Sequence, residues 1–115
     1  MEDRLEKMVR DLIARYVDAK PKRISLKLSD DRSEIRISGE GLEESLEYSL
    51  TIPFTSFARG VIEAYEEVYG KLRVIPISLR EEVYENDKVS LDLYPTGSAG
   101  IFEVFVSYKE HSKKG

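Results

Sequence analysis

Apolar residues recur at intervals of three and four along two stretches of the chain, and at intervals of two along most of the remainder. That change of period separates helices from strands. In the first stretch Leu5, Met8, Val9, Leu12, Ile13, Tyr16 and Val17 line one side. The spacing predicts an amphipathic helix over Glu2–Ala19, ended by Pro21, which cannot continue it. In the second stretch Phe54, Phe57, Ala58, Val61, Ile62, Ala64, Tyr65, Val68 and Tyr69 cover nearly half the circumference, with Arg59, Glu63, Glu66 and Glu67 opposite. So wide an arc needs more than one neighbour, which predicts the central helix of the core. Thr55 or Ser56 is placed to give its N-cap oxygen, and Gly70 its left-handed C-cap.

Between the helices, Ile24, Leu26 and Leu28 alternate with polar residues over Arg23–Ser29, as do Ile35 and Ile37 over Glu34–Ser38. Leu46, Tyr48, Leu50 and Ile52 do the same over Ser45–Ile52. Short turns at 30–33 and 39–41 make these an antiparallel meander with one wet face. After the second helix, Leu72–Leu79 is almost wholly apolar, which suggests burial on both faces, yet Pro76 lacks a ladder donor. An edge strand covered by a partner or by the chain itself reconciles the two. Val83 and Tyr84 form a short additional strand within the acidic connection 80–88. Val89–Tyr94 and Ile101–Tyr108 follow, joined by the turn at 95–100. The predicted fold class is α+β: a two-layer sandwich with two helices on one face of a mostly antiparallel sheet of five to six strands, in the order α-β-β-β-α-β-β(β). Residues 1–108 read as a single domain and 109–115 as a flexible polar tail.

Composition narrows the classes of function. The chain has 115 residues, 41% of them hydrophobic, enough for a folded core without metal or disulfide support. There is no cysteine, which removes thiol chemistry and cysteine metal sites. No apolar run is long enough to span a membrane, and the charged start Met1-Glu2-Asp3-Arg4 does not read as a secretory signal, so a cytoplasmic location is expected. Charged residues make up 35% of the chain, while glutamine is absent and Asn86 is the sole asparagine. That depletion of thermolabile residues suggests a thermophilic source. A net charge of −4 opposes non-specific attraction to nucleic acid.

Candidate chemistry is sparse. The sole histidine, His111, lies in the tail with nothing to orient it, and the acids Glu40, Glu43, Glu44, Glu81, Glu82 and Glu85 read as solvated charges in polar connections. Gly97-Ser98-Ala99-Gly100 feeds a strand and not a helix, so it reads as a turn and not a phosphate cradle. No catalytic residue, cofactor or metal is assigned. An anion site at the start of the second helix would use Thr55, Ser56 and Arg59, although capping and an Arg59–Glu63 pair explain the same residues. A nucleic-acid patch would use Lys22, Arg23, Lys27 and Arg36, but the first three strands carry no outward aromatic for stacking.

The strongest anomaly is surplus apolar surface on the second half of the sheet, at Val74, Pro76, Ile101 and Phe105. It predicts a non-enzymatic domain that self-associates, most simply as a homodimer, or docks a protein partner. One version is an antagonist or immunity-type protein whose acidic stretches Glu40–Glu47 and Glu81–Asp92 engage a basic partner. Nucleic-acid association and a small-anion or enzymatic site at the second helix are the alternatives.

Overall fold

Two helices lie across one face of a seven-stranded antiparallel sheet in the computed structural model. The structure describes residues 2–28, 33–39, 42–48, 54–78, 81–96 and 101–109. The elements are α1 (Glu2–Ala14), β1 (Pro21–Leu28), β2 (Ser33–Gly39), β3 (Leu42–Tyr48), α2 (Phe54–Tyr69), β4 (Arg73–Pro76), β5 (Glu82–Glu85), β6 (Val89–Pro95) and β7 (Ile101–Tyr108). The expected α+β sandwich is present, and the short strand expected at Val83 and Tyr84 spans Glu82–Glu85 and pairs on both sides, which brings the sheet to seven strands against the five to six expected.

Strand order is β3-β2-β1-β7-β6-β5-β4, so two meanders meet where the first strand pairs with the last. Ile24 faces Val104 across that seam, and Arg23 faces Phe105. No local pattern dictates this pairing. It joins residues some 80 positions apart, and α2 is the only crossover between the halves.

α1 ends at Ala14, five residues short of the expected Ala19. Its hydrogen bonds tighten to three-residue spacing, Arg15 N to Leu12 O at 3.2 Å and Tyr16 N to Ile13 O at 2.8 Å. A 3-10 turn over Val17–Ala19 then buries Val17. Lys20 closes it in the left-handed region at φ 56°. Pro21 is therefore not the stop. It opens β1, where a missing donor is tolerated. A bulge follows: Pro21 pairs with Gly39 and Arg23 with Ser38, leaving Lys22 as the extra residue.

α1 and α2 meet closely at Gly60, where a Cβ would lie 2.7 Å from Val9 Cβ and 2.8 Å from Glu6 O. Between helices and sheet lie Val9, Leu12 and Ile13 of α1, Phe57, Val61, Ala64 and Tyr65 of α2, and the inward residues of four strands from Ile37 of β2 to Leu93 of β6. Where burial is described, the predicted inward faces of β1, β2, β6 and β7 hold. Val68 of the α2 arc, however, remains 49% exposed, so the arc exceeds its cover.

α2 begins at Phe54, which places Thr55 and Ser56 inside the first turn and not at the cap. Gly70 ends the helix at φ 96°, its N–H bonded to Glu66 O at 2.9 Å, as the C-cap prediction requires. Asn86 secures this end. Its Nδ2 donates to the carbonyls of Tyr69 and Lys71 at 3.1 and 3.0 Å, and its Oδ1 accepts from the amides of Lys88 and Val89 at 2.7 and 3.1 Å. β4 is an edge strand as expected, though only four residues long instead of spanning Leu72–Leu79. Past Pro76 the amides of Ile77 and Ser78 both turn to Glu81 O, which ends the ladder. β3 runs over 42–48, earlier than the expected Ser45–Ile52, and residues 49–53 lie outside the described residues. The tail beyond Lys109, with His111, does too.

Candidate functional site

Among the described residues, no layer covers the sheet face opposite the helices. Alternation puts the odd-numbered residues of β5, β7 and the regular part of β1 on that face, together with the even-numbered residues of β6. One row of facing partners crosses it: Ile75, Val83, Asp92, Phe105, Arg23 and Ser38. Phe105 is central. The Arg23 guanidinium carbon lies 5.0 Å from its ring centroid and the Tyr94 ring 6.0 Å away, tilted by 52°. Arg23 also approaches Glu103, Nε to Oε2 at 3.7 Å.

Asp92 stands on the other side of Phe105 from Arg23. Burial, then hydrogen bonding to the Glu81 carboxyl and that group's charge, push its carboxyl up to about 6. Its Oδ1 is shielded from solvent and has no hydrogen-bond partner. Two carboxyls and an arginine thus flank one aromatic ring on an open sheet.

The four residues predicted as surplus apolar surface fall on two faces. Ile101 and Phe105 lie on the open face, partly buried by their neighbours. Val74 faces Tyr84 across the β4–β5 ladder, on the helix side, and stays 50% exposed because the helices do not reach the edge. Pro76 shares that side, opposite Glu82. One patch cannot hold all four. The residues sequence reasoning missed are Ile75, Val83, Tyr94 and Asp92. Alternation alone places Asp92 outward, but only the β1–β7 pairing sets it near Arg23.

The candidate anion residues separate. Ser56 is 1% exposed, with Oγ unpartnered, whereas Arg59 is exposed near Tyr84, whose phenol burial and then Glu82 hold above its ordinary range while the Arg59 charge opposes them. The Thr55 side chain lies outside the described residues, and Arg59 makes no ion pair with Glu63 among those described. An arginine preceding a glutamate by four residues is the weaker order on a helix. Of the nucleic-acid candidates, Arg23, Lys27 and Arg36 share the open face with Phe105 and Tyr94, the aromatics absent from the first three strands. Arg36 sits 3.9 Å from Glu34, and Arg23 is near Glu103, so carboxylates accompany both arginines. Lys22 is displaced by the bulge toward the end of the sheet.

Among the described residues no cluster of three or more metal-ligating side chains forms, and no helix is long and apolar enough to cross a membrane. Compared with known proteins, the chain matches no protein-family model and no curated protein sequence.

Proposed function

We propose that this chain is a non-catalytic binding domain that pairs with a second copy of itself through the open face of its sheet. The observation that supports this reading is the order of charges about Phe105. Arg23 lies one strand to one side and Asp92 one strand to the other, at the same level. A two-fold axis along β7, in the plane between two stacked sheets, sets each Arg23 over the partner copy's Asp92 and stacks the two Phe105 rings. An isologous interface requires such a self-complementary patch. At neutral pH the arginine meets the ionised Asp92 carboxylate.

The size is modest. Five strands about 4.8 Å apart and about 20 Å long present roughly 500 Å2 per copy, near the lower bound of about 1,000 Å2 in total for a specific interface. The carboxylates beside both arginines and the net charge of −4 rank a nucleic-acid strand below a second copy as the occupant.

Light scattering behind size exclusion tests this. Between about 1 and 500 µM the mass is expected to rise from 13.2 kDa toward twice that value, and Phe105→Glu to hold it at the lower figure. A wild-type chain that stays single at the highest concentration contradicts the proposal.

A further inference from the structure

A second site lies at the end of the sheet, away from the proposed interface. Four lysines from four separate segments line a cleft of about 840 Å3, within the size range of small-molecule sites. Lys20 comes from the left-handed turn, Lys22 from the bulge, Lys88 from the β5–β6 turn and Lys109 from the end of β7. The backbone holds them together: Lys109 N donates to Lys88 O at 2.9 Å, and Asn86 Oδ1 accepts from Lys88 N at 2.7 Å. Asp18 is the only carboxylate among the described residues lining the cleft, while Lys109 is drawn to Glu85 at 3.1 Å. Lys20 and Lys88 pair with no carboxylate among the described residues.

The walls are set. Tyr108 donates its hydroxyl proton to Pro21 O at 2.9 Å, so in the 3.0 Å contact with Tyr65 it is Tyr65 that donates. Tyr69 lines the cleft with a phenol that makes no hydrogen bond to another described residue. Burial, and then the Asp18 charge, raise that phenol above its ordinary range, which keeps it a neutral donor.

Gathering like charges opposes folding, and so does the position of Lys20. A left-handed residue after a helical turn is normally glycine or asparagine, because a Cβ is strained there. A chain selected for stability alone has no use for lysine at that point. We propose that the cleft binds an oligophosphate, a diphosphate or triphosphate group, free or carried on a nucleoside. Several anionic oxygens along a short chain can meet several ammonium groups at once, as a single carboxylate cannot, and lysine binds phosphate as a point charge. Tyr69 adds a neutral donor, and its ring flanks the entry for a base.

Thermal melts of the full chain with inorganic tripolyphosphate, pyrophosphate, ADP or adenosine test this, each against potassium chloride at matched ionic strength. Tripolyphosphate at ten times its dissociation constant is expected to raise the midpoint by about 5 °C over the chloride control. Adenosine alone is expected to give no shift, and a larger shift with ADP than with pyrophosphate identifies a nucleotide as the ligand. Lys88→Ala weakens binding about tenfold. Lys20→Gly should raise the midpoint without ligand, by relieving the backbone, and weaken binding as well. Nuclear magnetic resonance of the wild-type chain adds a readout independent of variants: the amides of Lys20, Lys88 and Lys109 shift on titration. A shift equal to that of chloride, full binding by the Lys20→Gly/Lys88→Ala double variant, or amide changes confined elsewhere overturns the proposal.

Discussion

The residue that ties most of this molecule together is the sole asparagine. Asn86 holds the end of α2 by donating to the carbonyl of Tyr69, its last residue, and to that of Lys71 just beyond, and shapes the β5–β6 turn by accepting from two amides. Both ends of one short amide are used, which no other side chain of that length achieves. Asn86→Ala leaves carbonyls and amides without partners and is expected to cost about 2 kcal/mol in urea unfolding followed by circular dichroism. Asn86→Asp keeps the acceptor but sets a negative charge against the negative end of α2, so its loss should be at least as large. Recovery of stability in Asn86→Asp would show that the donor half is idle. Asp92 makes the opposite case. Its carboxyl is held up to about 6 against an ordinary 3.8, so the folded chain binds its proton more tightly than the unfolded one. Stability from this group is present below about pH 4 and is lost as pH rises through 6. A group that weakens the single chain at neutral pH is accounted for if ionised Asp92 meets the partner copy's arginine.

At the scale of elements, the helices depend on one close approach. Gly60 brings α2 against α1 so tightly that a methyl there would meet Val9 Cβ and the Glu6 carbonyl inside 3 Å. Alanine gains about 1 kcal/mol of helix propensity, but overpacking costs more where backbone must move. Gly60→Ala is therefore expected to lower the unfolding free energy by about 1–2 kcal/mol net, and an unchanged urea midpoint would show the helices free to part. Periodicity made most of the elements legible. Ile24, Leu26, Ile35, Ile37, Val89, Leu91, Val104 and Val106 all point inward as alternation requires. Boundaries were less so. α1 ends early because a tightening to 3-10 geometry and a left-handed lysine make the turn, and neither leaves a trace in hydrophobic spacing.

For the whole molecule, the open face was only half legible. Alternation showed Phe105 and Ile101 on a side too apolar for water, but placing Val74 and Pro76 with them required a strand order that spacing does not carry. The seam between β1 and β7 is fixed by long-range packing under α2, and it alone brings Arg23, Phe105 and Asp92 into one row. The lysine cleft is likewise a product of topology, its members drawn from four segments between Lys20 and Lys109.

The most direct measurement of the proposed pairing is sedimentation equilibrium on a charge-swap series at pH 7.5. Arg23→Asp and Asp92→Arg each set like charges over one another across the axis, and each is expected to weaken the dimer at least about tenfold. The double variant restores opposite charges with the partners exchanged and should recover most of the lost affinity. For the wild type, affinity should also fall as pH drops through about 6, where Asp92 takes up its proton. A double variant no stronger than either single change, with the wild type monomeric throughout, would contradict the account.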